Sequence, residues 1–289
     1  MIEVENITKK YKNVNALSDV SFKLETGVYG LVGENGAGKT TVMKIFTGQI
    51  TQDAGQILFQ KKKWNNECKT KVGYLPQNFE FFGNLTLMEA LEYLLLVRGE
   101  NPDEQKEELK MWLEYLNLAE HTSKKVKELS GGMRQRMGII QAFLGKPEIV
   151  LLDEPTVGLD PKERLAFRNM VNEVCDNKTI LISTHILDDV ESTCEKMICL
   201  KSGKVIYEGK IRTFIDKTDV NIYTATLSRE DFIKVGNEIN IVAVKREEDL
   251  ITIRFLIKDK KPVESIPLYH NTVIKKADTT LEDAYFLNM

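Results

Sequence analysis

Apolar and polar positions alternate at the start of the chain. Ile2, Val4 and Ile7, and later Val20, Phe22 and Leu24, are separated by polar residues. A period of two belongs to strands with one face buried and one wet, so the opening predicts half-buried strands of an antiparallel sheet. The pattern then changes. Val28 to Val32 is a continuous apolar run that ends in a glycine-rich loop, and runs of the same kind recur at Ile149–Leu152 and Thr179–Ser183. Strands of this composition are buried on both faces, as in a parallel sheet covered by helices. The stretches between them carry helical spacing: Leu85 to Val97, then Leu109, Trp112, Leu113 and Leu116, then Met133, Met137, Ile140 and Leu144. From Met197 to Gly209 two strands flank a Ser-Gly turn, a hairpin signal.

Beyond about residue 215 the pattern is that of a small α+β appendage. Val220–Leu227, Ile239–Val244, Ile251–Ile257 and Thr272–Lys276 read as strands. A short helix is expected over Ser228–Gly236, and a terminal one over Thr280–Leu287 capped by Thr279 or Thr280. The expectation is an α/β chain with domains at 1–215 and 216–289.

Composition narrows the function. The 289 residues are 42% apolar and 29% charged, enough apolar material for a sizeable core. Forty basic residues face 43 acidic ones. A protein that binds nucleic acid by neutralising phosphates carries a basic excess, so no nucleic-acid partner is expected. The balance is even along the chain, with 11 basic and 13 acidic residues from Asp216 onward. No apolar run is long enough to span a bilayer, because Glu89 and Glu92 break the most hydrophobic helix. The N-terminal residues show no secretory signal. Cys68, Cys175, Cys194 and Cys199 have neither C-x-x-C spacing nor a histidine at zinc-finger spacing, and are expected as reduced thiols.

Candidate chemistry begins at Gly33-Glu-Asn-Gly-Ala-Gly38-Lys39-Thr40, which follows the Val28–Val32 strand and fits G-x-x-x-x-G-K-[ST]. Glycines let successive N–H groups converge on a phosphate, and a helix starting near Lys39 adds its positive end. Asn35, Gly36, Ala37 and Gly38 form the cradle. Lys39 supplies charge to the β- and γ-phosphates, Thr40 offers a hard oxygen to Mg²⁺, and Thr41 reaches the α-phosphate. A second anchor is needed. Asp153 and Glu154 stand at the C-terminal end of a buried strand, where open parallel sheets place their ligands. Asp153 is the candidate for holding Mg²⁺ through water, and Glu154 the general base that polarises the attacking water. Pro155 turns the chain there, which would let both acids serve one site. His185 closes the third buried strand and is the candidate γ-phosphate partner. His121 and His270 have no comparable context. Ser130 is a good N-cap for the helix carrying Arg134, Gln135 and Arg136, and Gly131 and Gly132 free the N–H groups at its start. On composition alone this is an ordinary capped helix.

These segments, in order and spacing, resemble the nucleotide-binding subunit of an ATP-binding cassette (ABC) transporter over about residues 1–215. Gly33–Thr41 is similar to its Walker A motif, Gln77 in Gly73–Gln77 to its Q-loop glutamine, Leu129–Met133 to its signature motif, and Ile149–Glu154 to Walker B. Val157–Asp160 resembles the D-loop, His185 the switch histidine, and Tyr11 the aromatic that stacks on adenine. The resemblance implies a P-loop NTPase core with an N-terminal antiparallel β subdomain and a helical subdomain at about 78–146, followed by the small C-terminal α+β domain. It implies ATP and Mg²⁺, with Gln77 as a further magnesium ligand that reports to a membrane partner. It implies two subunits packed head to tail, so that Ser130, Gly131 and Gly132 of one face the Walker A loop of the other, with Asp160 as a further ATP-binding residue. The implied partners are transmembrane permease subunits and a second nucleotide-binding subunit, at the cytoplasmic face of the cell membrane. Met133 departs from the family's glutamine at the end of the signature. The tail Asp278–Phe286 is similar to that of ATPase subunits exporting drugs, antibiotics and bacteriocins. An importer or other-substrate ATPase subunit, a soluble ABC ATPase on nucleic acid or ribosomes, and an inactive regulatory module are the alternatives. A single cassette without sustained heptads and with balanced charge argues against the second, and filled hydrolytic positions argue against the third.

Overall fold

The computed structural model describes residues 1–12, 14–218, 220–235, 239–257 and 272–288. It divides into two units, Met1–Lys210 and Ile211–Met289.

In the first unit β1 (Ile2–Tyr11) and β2 (Val14–Leu24) pair antiparallel, with Ile2 opposite Leu24, Val4 opposite Phe22 and Ile7 opposite Val20. The apolar alternation therefore lands on one face, and all six side chains are buried. Next come β3 (Gly27–Val32), α1 (Lys39–Phe46), β4 (Ala54–Phe59), β5 (Lys62–Lys63), α2 (Asn66–Thr70) and β6 (Val72–Leu75). The helical stretch follows with α3 (Leu87–Val97), α4 (Lys106–Tyr115) and α5 (Gly131–Phe143). The unit closes with β7 (Ile149–Asp153), α6 (Pro161–Val174), β8 (Thr179–Thr184), α7 (Leu187–Thr193), β9 (Lys196–Lys201) and β10 (Lys204–Lys210). One sheet has the order β2-β1-β4-β5. The other has the order β10-β9-β3-β8-β7-β6. In the second sheet β9, β3, β8, β7 and β6 run parallel, and β10 closes the edge antiparallel. This is the α/β P-loop architecture with an antiparallel β subdomain and helical parts.

Strands β3, β7 and β8 are buried on both faces, which is why each reads as an unbroken apolar run. Leu31, Leu151 and Leu181 join Val42, Met43 and Phe46 of α1 in a core that continues into the antiparallel sheet through Ile2, Leu17 and Phe22. The apolar side chains in this core each contribute about 1.5–3 kcal/mol when fully buried. The core fixes the C-terminal ends of β3, β7 and β8 beside one another, so the segments that leave these ends are neighbours.

The helices obey local signals. Thr86 and Glu89 form a reciprocal capping box at α3, and Asp160 and Glu163 do so at α6, with Pro161 at the first helical position. A buried guanidinium ties the helical stretch together. Arg136 on α5 donates to the carbonyls of Leu116 (2.5 Å) and Asn117 (3.1 Å), just past the C-terminal end of α4, and meets Glu163 of α6 at 2.7 Å.

The second unit begins with α8 (Ile211–Lys217), followed by β11 (Asn221–Ser228), α9 (Arg229–Val235), β12 (Asn240–Glu247), β13 (Leu250–Ile257), β14 (Ile274–Ala277) and α10 (Leu281–Asn288). Its antiparallel sheet has the order β12-β13-β11-β14 over a core of Ala225, Leu227, Ile251, Ile253 and Phe255. Thr280 is the cap of α10: its hydroxyl accepts from the N–H of Asp283, and its own N–H donates to the Asp283 carboxylate. Arg254 of β13 donates to the same buried carboxylate. Gly236, the expected end of the short helix, and His270 lie outside the described residues.

Candidate nucleotide site

The loop between β3 and α1 takes its shape from glycine. Gly36 and Gly38 have φ of 85° and 112°, conformations that side chains rarely adopt. A Cβ on Gly38 would also lie 2.7 Å from the Ala16 carbonyl oxygen and 2.6 Å from Leu17 Cδ2. Thr40 and Thr41 occupy the first turn of α1, where the helix has unpaired N–H groups and no acidic residue. Asn35, Gly36, Gly38, Lys39, Thr40 and Thr41 line a cleft of about 250 Å³ that Gln77 and Glu154 also line. Ala37 is buried within the loop.

Lys39 is 6% exposed. Its Nζ donates to the carbonyls of Gly33 (2.6 Å) and Glu34 (3.2 Å) and lies 3.9 Å from Glu154 Oε1. Burial lowers its pKa below the ordinary lysine value, opposed by the charges of Glu154 and Asp153. Burial thus outweighs the two carboxylates, and an added negative charge would stabilise the ammonium.

Asp153 ends β7, and Glu154 follows with a left-handed φ of 54°. The turn that brings two consecutive acids to one region is therefore in the backbone of Glu154 itself, immediately before Pro155. Such a conformation in a non-glycine residue costs on the order of 1–3 kcal/mol and persists where its surroundings hold it. Here the Glu154 N–H donates to the Ser183 carbonyl at 3.0 Å. Gln135 on α5 donates to the carbonyls of Glu154 (3.3 Å) and Pro155 (3.1 Å). The Glu154 side chain is 7% exposed, and both its oxygens lie within 3.1 Å of His185 Nδ1. His185 is half exposed at the end of β8.

The residues present fit a magnesium ion. Thr40, Gln77 and Asp153 offer a hydroxyl, an amide oxygen and a carboxylate, the hard donors that Mg²⁺ takes together with phosphate and water. Asp153 is fully buried, and its Oδ2 has no hydrogen-bond partner among the described residues. Among those residues no cluster of three or more His, Cys, Asp or Glu could hold a metal by itself. A cation here would be shared with bound phosphate.

Other expected residues lie outside this cleft. Ser130 caps α5 by accepting from the N–H of Met133 at 3.1 Å, and Ser130 and Gly131 are exposed. Gly132 is half-buried, close to the Gly158 carbonyl and to Glu163. Asp160 is occupied in the cap of α6. Tyr11 is exposed at the end of β1, with Lys9 Nζ 5.9 Å from its ring centre. Three residues at the site carry no expectation from sequence: Ala16 in the lining, Gln135, and Ser183. Ser183 had a visible signal, a small polar residue inside an otherwise apolar strand.

Comparison with known proteins gives the family. A family model described as ABC transporter matches residues 17–157. The ABC transporter ATP-binding protein YxlF of Bacillus subtilis, itself described as uncharacterized, is 32% identical over 80% of this chain and 78% of its own length. The chain belongs to the ABC transporter ATP-binding proteins. The lantibiotic transport ATP-binding protein SrtF of Streptococcus pyogenes is 31% identical to this ABC ATPase over 72% of this chain and 90% of its own. A solved dimeric ATP-binding cassette, in a post-hydrolysis state with ADP and Pi, superposes with a TM-score of 0.66 at 26% identity, covering 73% of this chain and 98% of that one. Among the described residues no helix of this ABC ATPase is long and apolar enough to cross a membrane.

Proposed function

We propose that this ABC ATPase hydrolyses ATP to drive export of a drug, antibiotic or antimicrobial peptide through separate permease subunits at the cytoplasmic face of the cell membrane. The observation that carries the hydrolytic reading is the position of Glu154. It is a buried carboxylate between Lys39 and His185, on the cleft that the glycine cradle also lines. The name of the lantibiotic transport relative supports the cargo class.

In this reading the N–H groups of residues 35–41 and the Lys39 ammonium bind the phosphates. Lys39 exchanges its carbonyl partners for phosphate oxygens. Thr40, Asp153 and Gln77 would hold Mg²⁺, which supplies charge neutralisation at the phosphates. Glu154 accepts the proton of the attacking water, and His185 orients Glu154 and reaches the terminal phosphate. Tyr11 stacks on the base. Ser130 and Gly131 are exposed, Gly132 is half-buried, and all three lie off the cleft, which supports a role toward the nucleotide of a second subunit packed head to tail, with Asp160 near that junction. The unit Met1–Lys210 carries this chemistry, and the unit beginning at Ile211 is an accessory domain.

The test is Glu154→Gln, which keeps size and hydrogen bonding but cannot take the proton. Nucleotide affinity should stay within about threefold of the parent. Turnover should fall by about 10²–10⁴, the usual contribution of a general base. Hydrolysis at the parent rate would overturn the assignment.

A further inference from the structure

We infer that Ser183 is a positioning residue for the magnesium-binding carboxylate, an inference that rests on the reading of Asp153 as a metal ligand. Ser183 is the register partner of Asp153 across the parallel pair β7–β8, and both are fully buried. Its hydroxyl is hydrogen-bonded to Asp153 Oδ1. The same Oγ lies 3.3 Å from the backbone nitrogen of Glu154.

Proton counting fixes the direction of these bonds. A serine hydroxyl has one proton to give and two lone pairs. The Glu154 N–H can only donate; its one proton is shared between the Ser183 carbonyl at 3.0 Å and Ser183 Oγ at 3.3 Å, so Oγ accepts the longer branch. An ionised carboxylate can only accept, so the hydroxyl proton goes to Asp153. One small side chain thereby ties the two acids together, through the carboxylate of one and the backbone of the other. It also differentiates the two oxygens of Asp153. Oδ1 is satisfied inside the protein, while Oδ2 is buried with no partner among the described residues. A buried charged oxygen left this way is costly, and a cation is the partner that removes the cost.

The surroundings give Ser183 this task alone. The other polar group at the end of β8, the Thr184 hydroxyl, is used locally, accepting from the N–H of Ile186 at 3.0 Å. Ile182, on the other side of Ser183, is buried and apolar. An apolar residue at 183 would suit a buried strand better by propensity, but would leave Oδ1 unpaired as well and the carboxylate free to rotate. Groups that orient a metal ligand from behind typically contribute 10–100-fold to metal affinity.

The experiment measures how much metal strengthens nucleotide binding, without turnover. AMP-PNP is titrated calorimetrically into the full chain, once with saturating Mn²⁺ and once with EDTA. The ratio of the two dissociation constants is the metal coupling. Ser183→Ala should leave the EDTA value within about twofold of the parent and cut the coupling about tenfold or more. Ser183→Thr, which keeps the hydroxyl, should retain the parent coupling. Should the alanine variant fail to fold, the near-isosteric Ser183→Cys replaces it, with the same loss expected because a thiol is a weak donor. Parent-like coupling in the alanine or cysteine variant, even with a lowered melting temperature, would mean a purely structural role and would overturn the inference. Absence of any metal coupling in the parent would overturn the reading of Asp153 as well, so the two failures are distinguishable.

Discussion

Gly36 and Gly38 lie two residues apart in one loop, both with positive φ, yet their surroundings predict unequal costs for alanine. At Gly36 nothing lies within 4 Å of a built Cβ, so Gly36→Ala pays only for the backbone conformation, about 1–2 kcal/mol. At Gly38 the φ of 112° is less accessible still, and the new methyl would meet the Ala16 carbonyl oxygen at 2.7 Å and Leu17 Cδ2 at 2.6 Å. The leucine tip can rotate away, but the carbonyl belongs to β2 and is held by the sheet. Conformational strain of about 1–3 kcal/mol and overpacking of about 1–3 kcal/mol then add to roughly 2–6 kcal/mol. The loop escapes that cost by changing shape, at the expense of converging its N–H groups. At about 1.4 kcal/mol per decade, Gly36→Ala should weaken ATP binding about 5–30-fold and Gly38→Ala at least about fivefold beyond that. Titration with a fluorescent ATP analogue gives both affinities, and far-ultraviolet circular dichroism confirms that each variant is folded. Equal losses, or a larger loss at Gly36, would refute the steric argument.

Two further outcomes are expected. Arg136→Met strips the buried guanidinium from two carbonyls and leaves Glu163 without its charge partner; broken buried pairs cost about 3–5 kcal/mol, so thermal unfolding should move down by roughly 6–20 °C, and a shift below about 2 °C would count against the role of this residue. For Lys39, a pKa lowered by burial means that in the free chain the amine loses its proton below the usual lysine range, whereas bound phosphate restores the charge. ATP affinity should therefore fall with rising pH, with proton uptake on binding seen calorimetrically in buffers of different ionisation enthalpy. In the nucleotide-free chain the sign for folding is opposite, since the unfolded state binds more protons in that range and stability rises with pH. Affinity that is flat up to the ordinary lysine pKa would disprove the linkage.

The elements that sequence reading anticipated are those with strong local signals. The alternation of β1 and β2, the apolar runs of β3, β7 and β8, and the spacing in α3, α4 and α5 all correspond to elements of the fold. Strands β4, β5 and β6 carry weak signals. β5 is two lysines, and β4 begins with three exposed residues. Each becomes a strand only because a neighbour supplies the hydrogen-bonding edge. Helix α6 also carries local signals: Asp160, Pro161 and Glu163 announce its start, and Phe167, Met170 and Val171 mark its buried face.

By itself the sequence determined the phosphate loop, because a cradle of consecutive N–H groups needs only glycines at set spacing and a helix behind them. It also determined that Asp153, Glu154 and His185 end buried strands. Which groups touch was decided by tertiary structure alone. Glu154 and His185 are 31 residues apart, and Ser183 and Asp153 are 30 apart, yet each pair is in hydrogen-bond contact because β7 and β8 are neighbours in register. Register is set by the packing of whole apolar strands between helices, a cooperative property that no single residue announces. The same packing leaves Asp153 Oδ2 buried with no partner among the described residues and sets Lys39 3.9 Å from Glu154, and so brings separate motifs together.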